Sequence, residues 1–333
     1  MNRSLNILIL SCGTRNKIVQ YFKLELEGKG QVFATDCSEF APALYEADQH
    51  FIVSNINEPG YLDEILQICL NNKISCVLSL IDPELSLIAK NKNAFLAIGT
   101  TPIVSEYDLV ELCFDKYNFN QKLLREGFNA VRSYIDKDEF YQDVEKSKID
   151  YPVFVKPVRG SASVNISMAS SKDEIEFFFN KYDDLMIQEF MSGSELGADV
   201  YIDMISNEPV AIFVKEKLKM RAGETDKAVS IKDDDLFALI VSFVSSFGFQ
   251  GVIDIDIFKQ NNKYYISEVN PRFGGGYPHA YECGQNIPRM IIRNLEGHQN
   301  NSVIGDYESD VFMMKYSSVS IIQNGTEIFG EQS

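Results

Sequence analysis

The segment YYISEVNPRFGGGYP, residues 264–278, gathers a carboxylate (Glu268), an amide (Asn270), a guanidinium (Arg272) and three consecutive glycines. The apolar and aromatic run before Glu268 reads as a strand, whose side chains alternate between faces. Glu268, Asn270 and Arg272 therefore share one face, and Pro271 marks a strand end or an edge. The preceding GVIDIDIFK reads as a second strand, joined to the first through the turn-prone Gln260 to Lys263 as a hairpin. A loop with an odd number of residues would set Asp256 opposite Glu268 and Asp254 opposite Asn270, with cross-strand Cβ atoms about 5 Å apart. Two carboxylates and an amide oxygen at that spacing suit Mg²⁺, which takes few protein oxygens and fills its shell with water and phosphate. A solvated polar face is the commoner fate of Asp and Glu. The large apolar neighbours Val252, Ile253, Ile255, Ile257 and Phe258 favour the metal reading over it.

Three further stretches carry charge in patterns. YPVFVKPVRGSASVNISMA places Lys156 on a strand before a loop of Arg159, Gly160, Ser161, Ala162 and Ser163. Small residues there let backbone N–H groups approach phosphate oxygens, although an ordinary hairpin turn uses the same residues. LMIQEFMSGSELGADVYID reads as a strand, an irregular stretch at 191–194, and a second strand with Glu195 and Asp199 on one face. In VKEKLKMRAGE, a period of two puts Lys215, Lys217, Lys219 and Arg221 on one face, either to meet an anion or to guard an edge strand. Taken together, an acidic hairpin, a Lys-Gly-Ser loop and a cationic strand describe a site for Mg²⁺ and a polyphosphate.

These segments need a scaffold, and 333 residues suit two or three domains. LNILILSC is a buried parallel strand by its continuous apolar run, and RNKIVQYFKLELEGKG is a helix ending in glycines. QVFATD, YLDEILQICLNNK, ISCVLSLID, PELSLIAKNKNAFLAIG and TPIV continue the alternation of strand and helix, which predicts a small doubly wound unit up to about Val104. SCGTRNK lacks the GxGxxG spacing of a dinucleotide site. Asp82-Pro83-Glu84 follows a strand end, where ligands of open α/β sheets bind, and could equally cap the next helix. DLVELCFDKYNFNQKLLREGF reads as one linking helix, and strands and hairpins with few long helices dominate from Tyr151 onward.

Composition excludes some classes. Against 31 Lys and Arg stand 48 Asp and Glu, a net charge of −17 that disfavours nucleic acid and anionic membranes as partners. The run Leu5–Leu10 is too short to span a bilayer, and no signal-peptide cleavage pattern follows it, so a cytoplasmic chain is expected. The six cysteines have no zinc-like spacing and read mostly as small buried hydrophobes. Of three histidines only His279 lies near the suspected site, as a partly exposed loop residue or a catalytic one.

In this order, these motifs resemble the ATP-grasp superfamily, in particular the short proteins similar to one half of a carbamoyl-phosphate synthase large subunit. The resemblance spans nearly the whole chain. It implies an α/β and α+β architecture: a Rossmann-like domain at 1–110, an ATP-grasp subdomain with the glycine-rich loop at 111–187, and a subdomain with the metal site at 188–333. CFDKYNF resembles the segment whose lysine contacts ATP phosphate, here Lys116. VFVKPVRGSAS implies phosphate contacts from Lys156, Gly160, Ser161 and Ser163. IQEFMSGSE resembles the hinge that meets adenine through Gln188, Glu189, Phe190 and Met191, with Glu195 on the ribose. Gln188 stands where the family often has Glu. The resemblance further implies metal ligation by Asp256, Glu268 and Asn270, with Mg²⁺ or Mn²⁺ as the metal, and catalytic roles for Arg272 and Arg221. The implied activity is an ATP-dependent carboxylate–amine ligase acting on small molecules through an acyl phosphate, with a homodimer left open. An ATP-binding module, a kinase and a bicarbonate-activating enzyme are the alternatives.

Overall fold

The computed structural model describes residues 4–160, 166–323 and 326–329. The first unit is a five-stranded parallel sheet of β1 (Asn6–Leu10), β2 (Val32–Asp36), β3 (Gln49–Ile52), β4 (Ile74–Ser79) and β5 (Thr101–Pro102), in the order β3-β2-β1-β4-β5. β1 and β4 are central and almost wholly buried, as continuous apolar runs between two helical layers must be. Helices α1 (Asn16–Leu26), α2 (Tyr61–Asn71), α3 (Asp82–Lys90) and α4 (Lys92–Ala97) connect the strands. The sequence reading had α3 and α4 as one helix, but the chain turns at Asn91. It also passed over β3, a polar edge strand without an apolar run.

The predicted linking helix is likewise two, α5 (Tyr107–Phe114) and α6 (Lys116–Arg125). Asp115 breaks it by accepting from the Asn118 N–H as an N-cap, which an extended backbone at Asp115 allows. The break places Lys116 at the first position of α6, in a turn facing the later strands. A small unit follows: β6 (Ser133–Tyr134), α7 (Lys137–Glu145), β7 (Val153–Pro157), β8 (Ser167–Ala169), α8 (Lys172–Lys181) and β9 (Leu185–Glu189), with sheet order β6-β9-β7-β8 and an apolar core of its own.

The last unit is a six-stranded sheet in the order β14-β13-β10-β11-β12-β15. Its strands are β10 (Ser194–Ile202), β11 (Pro209–Arg221), β12 (Glu224–Ile231), β13 (Gly251–Gln260), β14 (Lys263–Asn270) and β15 (Phe312–Met314). Helices are more prominent here than the sequence reading expected: α9 (Asp234–Phe247), capped by Asp233 and closed by left-handed Gly248, α10 (Tyr277–Glu282) and α11 (Ile287–Leu295). Leu196, Ala198, Val200, Ile253, Ile255 and Ile257 form one buried face, and Phe243 of α9 packs against Phe119 of α6. The alternate positions form the polar face described below. The first unit is bound to this one by apolar packing of Phe22 against Phe273, by stacking of Tyr21 on Tyr281, and by Arg289 on Glu25 at 2.7 Å. Among the described residues no helix is long and apolar enough to cross a membrane.

Candidate active site

The β13–β14 hairpin pairs Asp254 with Asn270 and Asp256 with Glu268, the predicted partners. The route to that register differs from the expected odd loop. The turn holds only Asn261 and Asn262 between the paired Gln260 and Lys263, both left-handed at φ 51° and 61° as a two-residue hairpin turn requires. A bulge at Ser267, between the pairs Asp256–Glu268 and Ile257–Ile266, supplies the odd residue and turns Glu268 onto the face of Asp256. β14 both ends at Asn270 and lies at the sheet edge, so Pro271 costs no ladder bond.

Around this hairpin the fold assembles cations from distant segments. Lys116 Nζ donates to the Gly160 carbonyl and lies 3.8 Å from Glu268 Oε1. Lys156, only 6% exposed, lies on β7 in the fields of Glu268 and Asp256. Burial pushes its pKa down, opposed by Glu268 and reinforced by Lys116. Arg272 Nη2 donates to Asp82 Oδ2 at 2.9 Å and to Asn270 Oδ1 at 3.1 Å, and its Nε lies 2.9 Å from Asp82 Oδ1. Asp82 opens α3, which carries no side-chain cap; the residue holds Arg272 across the boundary between units instead of capping. Ser161 and Ser163 lie outside the described residues.

The cationic stripe on β11 is interrupted. Register shifts at Lys217/Lys219 and Lys219/Met220 break the period of two, and β11 is an interior strand, not a guarded edge. Lys215 turns inward onto Asp199. Lys217 bridges Asp256 at 2.5 Å and Glu195 at 2.9 Å, and these two carboxylates hold its pKa up although burial opposes the charge. Gly197 makes room for both stems, since a Cβ there would come within 3.1 Å of Lys217 and 3.2 Å of Lys215. Arg221 is 55% exposed and pairs with Asp226; the structure does not bring it to Arg272.

Burial first, then Asp256 and Asp199, push the Asp254 carboxyl up to about 7, against Lys215 and Lys217. Carboxylates thus crowd one sheet face, and an added cation there would relieve repulsion. Among the described residues no three His, Cys, Asp or Glu side chains come together to hold a metal ion. Asp256, Glu268 and Asn270 nevertheless fit Mg²⁺ as adjacent oxygen donors of the kind that shares its shell with phosphate and water.

Residues 188–193 lead from the end of β9 to the start of β10. Gln188 is buried with its amide on Ser133 Oγ at 3.1 Å, Phe190 is exposed beside Phe154, Met191 is buried, and the Ser192 and Gly193 N–H groups both donate to Gln260. Glu189 ends β9, with its N–H on the Arg132 carbonyl at 2.9 Å.

The expectation for His279 is corrected. His279 is neither a partly exposed loop residue nor placed for catalysis. It is 3% exposed within α10, its Nε2–H reaches the Val311 carbonyl at 3.0 Å, its ring packs on Phe213, and burial then Lys215 lower its pKa to about 4. The glycines at 274–276 admit protein side chains. A Cβ at Gly274 would lie 2.4 Å from the Asp254 carboxylate carbon, at Gly275 2.8 Å from that of Glu224, and at Gly276 2.9 Å from Lys215. Gly274→Ala should therefore cost about 1–3 kcal/mol of stability by overpacking, read as a lower urea midpoint at unchanged slope; an unchanged midpoint would contradict the packing.

Sequence reading missed Arg15 and Glu224. Arg15 leaves the β1–α1 loop and meets Glu224 Oε1 at 2.8 Å, while Lys315 meets Glu224 Oε2 at 2.8 Å. The one available signal was position, since Arg15 follows the carboxyl end of a central parallel strand.

Residues 7–103 match the PylC-like N-terminal domain family, and residues 113–276 match an ATP-grasp domain family. The chain is 26% identical over 278 residues to a carbamoyl-phosphate synthase of Methanobrevibacter smithii, covering 79% of this chain and 74% of that protein. It is 28% identical over 195 residues to a D-alanine–D-alanine ligase of Acetivibrio thermocellus, covering 49% of this chain and 51% of that one, so the match spans about half the relative's length. Among solved structures, the biotin carboxylase domain of the 2-oxoglutarate carboxylase of Hydrogenobacter thermophilus, solved with MgADP and bicarbonate, superposes with a TM-score of 0.72. That match covers 93% of this chain and 74% of the other at 16% identity, a likeness of fold. With Lys116, Lys156 and Arg272 gathered around the β13–β14 hairpin and both domain families matched in this order, the chain belongs to the ATP-grasp superfamily.

Proposed function

We propose that this protein is an ADP-forming carboxylate–amine ligase, which phosphorylates a small carboxylate with ATP and transfers the acyl group to an amine. The observation that carries this reading is the cross-strand pair Asp256–Glu268, set beside Lys116 and Lys156 on one side and Arg272 on the other. The relatives named above as a carbamoyl-phosphate synthase and a D-alanine–D-alanine ligase agree with it. In this reading residues 1–110, 111–187 and 188–333 are the three domains, and nucleotide is held between the second and third.

Lys116, Lys156 and the Gly160 loop hold the phosphates, the hinge from Gln188 to Met191 meets adenine, and Glu195 takes the ribose hydroxyls. Asp256, Glu268 and Asn270 hold Mg²⁺, which when bound neutralises phosphate oxygens as charge moves onto the leaving ADP. Arg272, fixed by Asp82, offsets charge on the reacting carboxyl group. Catalysis of this kind is alignment plus electrostatics and needs no protein nucleophile. A carboxylate oxygen attacks the γ-phosphorus, ADP leaves, and the amine then displaces phosphate from the acyl carbon. All six cysteines are free thiols, which suits a cytoplasmic setting.

The route predicts where oxygen goes. With a heavy-oxygen-labelled carboxylate substrate, one labelled atom should appear in inorganic phosphate beside ADP, as read by mass spectrometry. AMP and pyrophosphate as products would indicate adenylation and overturn the reading.

A further inference from the structure

We infer that Arg15, with Glu224 opposite it, forms a subsite for a substrate carboxylate that does not react, an assignment that rests on the ligase reading. Arg15 is delivered by a pinned loop. The Gly13 N–H donates to Asp36 at 2.9 Å, the Ala43 N–H to the Gly13 carbonyl at 3.1 Å, and the Arg15 N–H to the Cys12 carbonyl at 2.9 Å. The side chain is 21% exposed and leans toward the third unit. Burial lowers its pKa, Glu224 raises it, and Arg272 lowers it again, so two guanidiniums share one neighbourhood with Asp254 and Asp82. Arg272 already ties the first unit to the third through Asp82. A second guanidinium near it adds repulsion that joining the units does not require. The first turn of α1 holds no acidic residue and no side-chain cap, so its dipole adds positive potential at the same place.

The present partner of Arg15 is a carboxylate carried on a ribbon tip. Glu224 follows the tight turn Ala222-Gly223, both left-handed, and occupies room that a Cβ at Gly275 would close. A ligand carboxylate offers the guanidinium fork the same planar geometry. Glu224, relieved of Arg15 and still held by Lys315 at 2.8 Å, would accept an ammonium group. Arg272 contacts Asn270 of the metal hairpin, whereas Arg15 contacts the ribbon tip. The first faces the reacting carboxyl group and the second reads a remote one. The class of ligand is thus a small molecule with a carboxylate besides the reacting group, either a dicarboxylate or the free carboxylate of an amino-acid acceptor.

The probes are glutarate, succinate, L-alanine and D-alanine, each against its amide in which the remote carboxylate is neutral, titrated calorimetrically into the full chain with MgADP. At least one acid should bind about tenfold or more tightly than its amide, as a charged hydrogen-bonded pair is worth. Which acid does so separates dicarboxylate from amino acid. In Arg15→Met that preference should vanish while ADP affinity stays within twofold, and Glu224→Gln should keep it. Should Arg15→Met fail to fold, Arg15→Lys should reduce the preference without abolishing it. A preference that persists in Arg15→Met, or no preference for any acid in the parent protein, overturns the subsite. The ligase reading is scored separately by ADP release with carboxylate–amine pairs.

Discussion

Glu268→Gln should abolish turnover, lowering kcat by about a thousandfold, while the protein stays folded. Glu268 faces Asp256 across the hairpin and lies 3.8 Å from the Lys116 ammonium, the position that the ligase reading gives to a metal ligand. On that reading, losing the anionic oxygen removes a ligand worth several kcal/mol to the transition state, and each 1.4 kcal/mol is roughly tenfold in rate. The fold should tolerate the change, because Glu268 lies on an edge strand, is partly exposed, and leaves an amide of equal size. The check is steady-state ADP release against Mg²⁺ concentration, with circular dichroism on the same sample. Near-normal turnover at saturating Mg²⁺ would remove Glu268 from the metal site.

Lys156→Ala should weaken ATP binding by about ten- to a hundredfold, the worth of a charge-assisted contact in a site shielded from water. Stability should not fall in parallel. Lys156 is buried, and its ammonium is disfavoured by burial and by Lys116, with Glu268 and Asp256 only partly compensating. A buried cation held in that way is an energetic liability until an anion arrives. The expected pair of results is a large loss of ATP affinity by calorimetry with an unchanged or higher Tm. Unchanged affinity would return the Gly160 segment to an ordinary turn.

A good part of this was legible in the sequence because it is written in local periods. The run NILIL reads as a buried parallel strand, and the alternation in DIDIF and SEVN puts the acidic side chains on one face by period alone. The family motifs carried the order of the domains. Register was a nearer miss. Asp256 does face Glu268, through a bulge at Ser267 combined with a two-residue turn, and no periodic pattern in the chain marks a bulge.

What tertiary structure alone decided is who pairs with whom across units. Lys215 and Lys217 look like Lys219 and Arg221 in sequence, yet the first two lie under carboxylates of β10 and β13 while the others end in solvent at a ribbon tip. Asp82 and Arg272 are 190 residues apart and Arg15 and Glu224 more than 200, so neither pair leaves a local trace. A charged side chain takes its role from the field around it, set by which distant strands share its face. A period of two fixes only which side of its own strand it leaves.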